Sequence, residues 1–451
     1  MSKSSHALTQ DALPTAGHGS GSWRWLFLLA LWINLGSATL ASPFPTPDEP
    51  VPDRPVPPTS TGAPTEIVGI APEFPGHLGF PLDPLLPGYR WVDALPGVTF
   101  EAPVAVVSAP GETNRLYVVE RTGLIVVVTN LAAPTRTVFL DLREGLATSY
   151  LEAGLLGLAF HPGYATNRQF FVFRTALVPG PQEYTVLGDV LARFETRADQ
   201  PDQADPASEV RLITQEDADN THNAGDLQFG PDGYLYVTLG DESPPTAQTL
   251  GDRQPLHVFF GAVLRLDVDR RPGSLAPNPH PGVGHHYAIP PDNPLVGATV
   301  MNGKRIDPTT VRTEFYAWGF RNPWRMAIDD QTGALYVGDV GNGLFEELNL
   351  LRPGGNYGWP YREGSTNAIY WFLAPEGESF DEPFLSYPHG SGLTQGNSII
   401  GGVVHRGSAL PELRDRLILG DVRSGHTWAL TTEPGQPPRR EWLCTEPGLV
   451  S

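Results

Sequence analysis

Residues that could act as a general base lie in the middle of the chain. His222 precedes the strand-forming sequence GPDGYLYVTLGD, and Asp241 ends that sequence at a chain distance that lets it return beside His222. A carboxylate next to an imidazole orients the ring and stabilises its protonated form, which suits proton abstraction. The alternative is that His222 only ties a loop by hydrogen bonds.

A second stretch, around Arg321, offers groups for an anionic or carbonyl-bearing ligand. Arg321 is followed by Asn322, and the two present a fixed fork of donors and an amide, suited to a quinone or carboxylate oxygen. The alternative is an arginine that braces two neighbouring sheets.

The glycine-containing sequence after Arg321 offers oxygen ligands for a hard cation. Gly338 or Gly341 could let the backbone approach a ligand closely, and exposed carbonyls there would suit calcium. Glu347 with the carbonyl of Tyr357 is a second candidate cation site. The alternative is that all of these are ordinary turn and surface residues.

The elements that position these residues are predicted to be short strands. The 49 glycines and 47 prolines favour strands joined by turns over a helical bundle. A turn, an apolar triplet and a charged or glycine-bearing exit recur at irregular spacing, which predicts an all-β propeller with long rim loops. Unrelated hairpins in a β-sandwich are the alternative. The repeats are ETNRLYVVERTG (112–123), ATNRQFFVFRT (165–175), GPDGYLYVTLGD (230–241), QTGALYVGDVG (331–341) and LRDRLILGDVRSG (413–425).

Two segments between the repeats have other patterns. The alternation of AVLRLDVD (262–269) predicts a half-buried outer strand. Residues 271–295 are dense in Pro, Gly and His and lack periodicity. They predict a long surface loop that could cover the site.

Composition limits the partners. The chain of 451 residues has 30 basic and 50 acidic residues, a net charge of −20, so a phosphate backbone would be repelled and nucleic acid is not an expected partner. Cys444 is the single cysteine, which leaves no intrachain disulfide and no cysteine-rich zinc site.

The N-terminus predicts export. Residues 25–40 form an apolar run followed by Ala41 and Ser42, the layout of a signal peptide, with an uncleaved membrane anchor as the alternative. The Pro-rich sequence after it cannot form a core and predicts an extended tether. We therefore expect residues 1–41 to be a signal peptide or anchor, 42–88 a linker and 89–451 the folded domain, in the periplasm or outside the cell.

Five ordered motifs resemble the soluble glucose/sorbosone dehydrogenase family. The resemblance runs from about Leu95 to the C-terminus and implies a six-bladed β-propeller that holds pyrroloquinoline quinone (PQQ) on its open face with calcium beneath it. The motifs are EAGLLGLAFHPGY, HNAGDLQFGPDGYLYVTLGD, YAWGFRNPWRMAIDDQTGALYVGDVG, EELNLLRPGGNYGWPYREG and IIGGVVHRGSALPEL.

The resemblance also implies roles for individual residues. His222 resembles the base that removes the hydroxyl proton while hydride passes to the quinone, with Asp241 as its partner. The other implied roles are contact with the cofactor (Glu152, Gln248, Arg321, Asn322 and Arg406), ligation of the cofactor calcium by carbonyls (Gly341 and Asn342) and a structural calcium site (Glu347 and Tyr357).

The sequence departs from the family pattern at several positions. Glu152 stands where glucose-oxidising members have glutamine, Asn342 replaces a proline, and His426 occupies a position that is often arginine. These changes put glucose as the substrate in doubt more than the fold. The sequence also shows five triplets where six blades would give six, and REWLCTEPGLVS ends before the last strand of relatives, so we expect an incomplete last blade.

Three functions are compatible with these observations. The first is a PQQ-dependent dehydrogenase that oxidises an aldose or related alcohol and passes electrons to a diffusible acceptor. The second is a non-catalytic extracellular propeller that binds a protein or carbohydrate, since animal members of the family bind signalling proteins. A calcium-dependent lactonase rests on propeller shape alone.

Overall fold

The computed structural model describes residues 6–10, 89–148, 152–180, 184–217, 219, 221–241, 258–280, 282–301, 303–432 and 437–445. All of them belong to one compact unit, 1–33 with 80–451; the other unit, 34–79, contains none. The predicted linker falls outside the described residues, as does the predicted signal peptide apart from residues 6–10. None of the helices in the described ranges has both the length and the apolar character needed to cross a membrane.

Almost all regular structure in these residues is β. The helices are short: α1 (Tyr164–Asn167) and two 3-10 helices, Trp371–Leu373 and Pro411–Leu413. Five sheets of four or five strands follow one another along the chain, and we number them as blades 1 to 5.

The strands are listed here in chain order. A two-stranded ribbon comprises β1 (His6–Gln10) and β2 (Tyr89–Asp93). Blade 1 comprises β3 (Pro103–Val107), β4 (Arg115–Glu120), β5 (Leu124–Thr129) and β6 (Thr135–Asp141). Blade 2 comprises β7 (Leu155–Phe160), β8 (Gln169–Pro179), β9 (Thr185–Thr196) and β10 (Ala204–Glu216).

The later blades carry insertions. In blade 3, β11 (Leu227–Phe229), β12 (Leu235–Leu239) and β13 (Ala262–Leu266) precede the ribbon β14 (Val300–Met301) with β15 (Lys304–Arg305), and then β16 (Phe315–Trp318). Blade 4 comprises β17 (Pro323–Ile328), β18 (Leu335–Asp339), β19 (Phe345–Leu350) and, after an insertion, β23 (Leu385–Pro388). The insertion contains β20 (Gly355–Asn356), which joins blade 3 beside β16, and the ribbon β21 (Arg362–Glu363) with β22 (Thr366–Asn367). Blade 5 comprises β24 (Ile399–Val404), β25 (Leu417–Asp421), β26 (His426–Thr431) and β27 (Arg439–Thr445).

The five predicted triplets are confirmed as strands, because each forms the second strand of a blade: β4, β8, β12, β18 and β25. Their β-branched and aromatic residues suit a strand that neighbouring blades cover on both faces. The propeller class is confirmed, but the predicted six blades are wrong for the described residues, which form five. The count of five repeats was the better guide, since each blade contributes one triplet.

The hydrophobic core lies between successive blades. Tyr117 of blade 1 packs against Phe160 of blade 2 with ring centroids 4.5 Å apart, and further clusters join blades 2 and 3, 3 and 4, and 4 and 5. Strand β2 and the residues after it contact both terminal blades, because Tyr89 packs with blade 5 while Leu95 and Val98 pack with blade 1. Stacked sheets are therefore held mainly by apolar burial between their faces.

Arg325 of β17 connects the first strands of several blades. Its Nη2 donates to the carbonyl oxygens of Val104 in β3 at 2.7 Å and Leu156 in β7 at 3.1 Å. Its Nη1 lies 3.9 Å from Oδ1 of Asp226, just before β11. Four blades thus meet at one largely buried guanidinium, which places their first strands around the propeller axis.

Two predictions about insertions need correction. The strand in 262–269 is not half-buried: every residue of β13 is buried, because blade 4 and the insertion after β13 cover its two faces. The insertion 271–295 is irregular, as predicted, but Tyr287 and Ile289 are buried in the core, and Val283 forms a bridge to Ile213 of β10. It packs against the outer part of blades 2 and 3.

Candidate active site

Most predicted site residues lie at one edge of the propeller. Because the first two strands of each blade are antiparallel, the first begins where the second ends, and we call this the entry edge. Glu152, His222 and Arg321 come just before the first strands of blades 2, 3 and 4. Asp241 and Asp339 lie where the second strands of blades 3 and 4 end. The fold therefore brings together residues that are far apart in the chain.

The loop that carries His222 has an unusual backbone. His222 has φ of +57° and Ala224 of +50°, in the left-handed region that few non-glycine residues adopt. Glu152 Oε2 accepts the His222 N–H at 2.6 Å. Gly240 allows the carbonyl of His222 to approach, since a Cβ at Gly240 would lie 1.5 Å from that oxygen. Strain of this kind persists only where neighbours over-determine the conformation, and it concentrates at functional sites.

His222, Asp241 and Trp359 form a buried chain of hydrogen bonds. His222 Nδ1 lies 2.6 Å from Asp241 Oδ1, and Trp359 Nε1 donates to Asp241 Oδ2 at 2.7 Å. An ionised Asp241 accepts from Nδ1–H and leaves Nε2 as the basic nitrogen of the ring. Nε2 makes no hydrogen bond to the described residues, so it can accept a proton from a bound hydroxyl.

Arg321 contacts the same cluster in two ways, through its backbone carbonyl and through its guanidinium. Its carbonyl accepts the Asp241 N–H at 2.8 Å, and its guanidinium lies 5.8 Å from the Trp359 ring centroid. Asp339 holds the two residues before β17, which form this corner of the site, by accepting the N–H groups of Arg321 at 3.0 Å and Asn322 at 2.7 Å. Within the described ranges, Arg321 Nε and Asn322 Oδ1 are buried without partners. Unpaired buried polar atoms are costly, and a ligand at this corner could pair them.

The loop 341–345 is wrapped around a carboxylate. Glu363 Oε1 accepts the backbone N–H groups of Asn342, Gly343 and Leu344, each at 2.8 Å. Gly341 is needed for this geometry, because a Cβ there would lie 1.7 Å from the Phe345 carbonyl oxygen. Glu363 therefore sets the conformation of the segment whose carbonyls were predicted to ligate calcium.

Glu347 lies in a buried acidic environment. Burial, with the charges of Glu363 and Glu346, raises the pKa of Glu347 to about 7. Burial and the charge of Glu347 raise the pKa of Asp339 well above its ordinary value. Across the described part of the chain, no three His, Cys, Asp or Glu side chains are close enough to form a metal site on their own. Any cation here would need carbonyl or amide oxygens as well.

Arg406, another of the predicted residues, is not brought to this cluster. Arg406 follows the end of β24, at the opposite edge, where Asp329 and Asp415 hold its guanidinium. The Tyr357 side chain stacks on Phe320 at 4.9 Å between centroids. Gln248 lies outside the described residues.

Sequence reasoning missed Trp359, Asp339 and Glu363. A sequence pattern could have pointed to Asp339, because the Gly-Asp pair that ends LYVGD also ends the repeats YVTLGD and LILGD. Asp421, in the last of these, likewise accepts backbone N–H groups, from Asn397 and Ser398 at 2.8 Å each. Trp359 and Glu363 had no signal beyond their motif, since their partners lie in other strands or loops.

One known protein family matches most of the chain: the model described as Glucose / Sorbosone dehydrogenase matches residues 100–448. HIPL1 protein of Arabidopsis thaliana is 30% identical over 62% of this chain and 44% of its own length. Quinoprotein glucose dehydrogenase B of Acinetobacter calcoaceticus is 28% identical over 60% of this chain and 54% of its own length. Hedgehog-interacting protein of Mus musculus is 25% identical over 74% of this chain and 42% of its own length. The chain spans about half the length of the curated relatives it matches.

A solved structure gives the same fold. The PQQ-bound form of aldose sugar dehydrogenase from Streptomyces coelicolor is similar with a TM-score of 0.51 and 21% identity, over 76% of this chain and 81% of that chain. At this level of identity the likeness supports the propeller fold and leaves the reaction to be argued from the site.

Proposed function

The chain belongs to the glucose/sorbosone dehydrogenase family, and we propose that it oxidises an aldose sugar or related alcohol with PQQ as cofactor and His222 as general base. The observation that carries the proposal is the buried His222–Asp241 pair beside Arg321 at the entry edge. The Acinetobacter relative is a quinoprotein glucose dehydrogenase, and the Streptomyces protein is an aldose sugar dehydrogenase that binds PQQ.

The residues at the entry edge fit such a cofactor. PQQ carries carbonyl and carboxylate oxygens, and Arg321 Nε, which has no partner among the described residues, is a donor that could bind one of them. Asn322 would contact the cofactor from the same corner, and Glu152, next to the His222 loop, would line it. When bound, the quinone would supply the hydride acceptor.

Side chains of the protein would carry out the proton transfer. His222 Nε2 would take the proton of the substrate hydroxyl while the carbon that carries this hydroxyl loses hydride to the bound acceptor and becomes a carbonyl carbon. The Asp241 carboxylate would stabilise the resulting imidazolium, and the Trp359 indole, bonded to the other carboxylate oxygen, would keep Asp241 aligned. Positioned general bases contribute about 10²- to 10⁴-fold to rate.

Calcium would be bound on the blade 4 side of the site. The carbonyls of Gly341 and Asn342 are the proposed ligands near the cofactor, and Glu347 with the Tyr357 carbonyl the proposed structural site. Asn349 strengthens the second site, because it donates to Glu347 at 3.1 Å and its buried Oδ1 has no partner among the described residues. A cation would offset the burial and the like-charge repulsion that raise the pKa of Asp339 and Glu347.

We also propose that the protein is exported through residues 1–41 and passes electrons to a diffusible acceptor in the periplasm or outside the cell. Sequencing the N-terminus of the mature protein would test the first point. A mature chain that begins before residue 25 would indicate an uncleaved anchor.

A binding role is the second candidate. The Hedgehog-interacting relative matches 74% of this chain, and its name states that it interacts with Hedgehog. In that case the cofactor would not bind, and an exposed surface would carry the interaction.

Titration of calcium-loaded protein with PQQ, followed by dye reduction with a panel of aldoses, separates the two functions. Wild type should bind PQQ saturably and reduce the dye with sugar, and His222→Ala should bind PQQ but lose the sugar-dependent reduction. His285→Ala, an exposed histidine, is the matched control. Absence of PQQ binding by folded wild-type protein would contradict the dehydrogenase and favour the binding role.

A further inference from the structure

In four of the five blades, a side chain near the end of the second strand holds the loop before the first strand. In blade 1, Glu120 at the end of β4 accepts the Glu101 N–H at 2.8 Å. In blade 2, Thr175, just beyond the part of β8 that pairs with β7, accepts the Gly154 N–H at 2.7 Å. The aspartates that end the second strands of blades 4 and 5 hold their loops in the same way. Each of these loops is thus held from within its own blade.

Blade 3 uses the corresponding residue differently. Its carboxylate, Asp241, bonds the imidazole of His222. Thr238 holds the loop only next to β11, where its hydroxyl accepts the Asp226 N–H at 2.9 Å. Further back in the loop, the His222 N–H is accepted by Glu152 at 2.6 Å. Glu152 lies just before β7, so the acceptor for the histidine-bearing part of this loop comes from blade 2.

The segment that carries Glu152 is itself fixed from two blades. Arg121, the residue after β4 of blade 1, donates from Nη1 to the Ala153 carbonyl at 2.7 Å. Thr175 of blade 2 binds Gly154 twice, because its hydroxyl accepts the Gly154 N–H and its own N–H donates to the Gly154 carbonyl at 2.9 Å. Because the backbone beside Glu152 is held on both sides, its carboxylate can define where its partner lies.

The hydrogen bond from Glu152 acts on a backbone that needs support. His222 has a φ of +57°, which a non-glycine residue keeps only where its neighbours enforce it. A carboxylate that accepts an N–H forms a short, charge-assisted hydrogen bond. This bond fixes the peptide plane before His222 and with it the direction of the imidazole. Without the acceptor, His222 could relax to a negative φ and its ring would turn away from Asp241.

We propose that Glu152 is a positioning residue for the base. Its bond to the His222 N–H keeps the imidazole against Asp241, and it leaves the Asp241 carboxylate available for the ring. The importance of this contact for catalysis rests on the proposed function, whereas the arrangement is a property of the protein without cofactor. Glutamine at this position would serve a similar purpose, because its amide oxygen also accepts an N–H, but alanine would not.

NMR of cofactor-free protein labelled with ¹⁵N-histidine tests the arrangement, because it reports only the 12 histidines. Signals that vanish in His222→Gln identify the backbone N–H and the ring Nδ1–H of His222. Glu152→Ala should shift both signals and speed exchange of the backbone N–H with D₂O by about tenfold or more, because the N–H loses its acceptor. Glu152→Gln should keep both signals near their wild-type positions. Glu144→Ala, which removes an exposed carboxylate from the same connection between blades 1 and 2, is the matched control.

Unchanged His222 signals in Glu152→Ala, or an equal change in Glu144→Ala, would overturn the proposal. A similar change in the signals of all histidines would also overturn it, since Glu152 would then support the fold in general. Weaker PQQ binding by Glu152→Ala with unchanged His222 signals would assign Glu152 to the cofactor alone.

Steady-state kinetics gives a second readout if the protein is an active dehydrogenase. Glu152→Ala should lower kcat by about 10²-fold, because a small displacement of the base has an effect of this size, and Glu152→Gln should lower it much less. A kcat that falls equally in both variants would contradict the positioning role. His222 signals that depend on Glu152 in protein that fails to bind PQQ would support the arrangement and contradict only the dehydrogenase.

Discussion

Asp241 lies between the imidazole of His222 and the indole of Trp359, and both of its oxygens are used. It is completely buried, so its charge is removed from bulk solvent and these two donors help to stabilise it. In the proposed reaction the same charge stabilises the protonated imidazole. We therefore expect Asp241 to control the proton transfer to His222, although its contacts look purely structural.

Asp241→Asn should lower kcat by about 10²- to 10⁴-fold while PQQ affinity changes little. The amide cannot stabilise the imidazolium and can present its NH₂ to Nδ1, which would favour the wrong tautomer. Steady-state kinetics with PQQ-loaded protein measures the first quantity and cofactor titration the second. An unchanged kcat in Asp241→Asn would contradict the proposed role of Asp241 as the partner of the base.

Gly240 is the second residue on which the site depends. Gly240→Ala places a Cβ against the carbonyl oxygen of His222 and should lower the free energy of unfolding by about 1–3 kcal/mol. Gly343→Ala, where the added Cβ meets nothing within 4 Å, is the control and should stay within about 0.5 kcal/mol of wild type. Denaturant unfolding of both variants gives the comparison, and equal stability would contradict the close packing.

At the scale of elements, each blade places its functional groups at the ends of its first two strands. Asp339 and Asp421 end the second strands of blades 4 and 5 and accept the N–H groups of the loops before the first strands. In blade 3 the equivalent Asp241 bonds a side chain instead. The same strand ending thus serves as a loop clamp in two blades and as the partner of a histidine in the third.

The pairing of β19 with β23 carries a pH-sensitive contact. His389 Nε2 lies 2.7 Å from Glu346 Oε1, and this hydrogen bond raises the pKa of His389 above 6.5. A raised histidine pKa stabilises the fold fully below the unfolded-state pKa and loses that effect as pH rises through the folded-state pKa. His389→Gln should therefore lower Tm more at about pH 5.5 than at about pH 9.

Thermal unfolding of His389→Gln and wild type across that range measures the difference. His286→Gln, at an exposed histidine, is the control and should show no such pH dependence. An equal loss of Tm at both pH values would mean that the contact contributes without its charge.

At the scale of the whole molecule, blades are joined by apolar burial between faces and by Arg325 at the axis. The guanidinium bonds the backbones of blades 1 and 2 and lies beside Asp226, which itself accepts the Met326 N–H at 2.8 Å. Asp226 is four residues after His222, so the largely buried pair of Arg325 and Asp226 connects the propeller axis to the active-site loop.

Arg325→Met should lower the free energy of unfolding by about 3–5 kcal/mol, because it leaves the Asp226 charge buried without its partner. The control Arg143→Met breaks the exposed pair with Asp141 and should cost about 0–1 kcal/mol. Denaturant unfolding separates the two. A small effect of Arg325→Met would mean that apolar packing alone holds the blades in place.

The sequence by itself determined the strand repeats, the propeller class and the neighbourhood of His222 and Asp241. These are local properties, because each triplet forms a strand through its own composition, and a hairpin returns Asp241 to the start of its blade. The family resemblance added candidate roles, but the blade count it implied was wrong for the described residues.

Only the tertiary structure decided the contacts of Trp359 and Arg325 and the position of Arg406 at the opposite edge, and it showed that the five repeats correspond to five blades. Trp359 reaches Asp241 across 118 residues, and Arg325 reaches Val104 across 221. Such contacts depend on how the blades stack around the axis, and no local pattern specifies the side chain that will fill the space between two sheets.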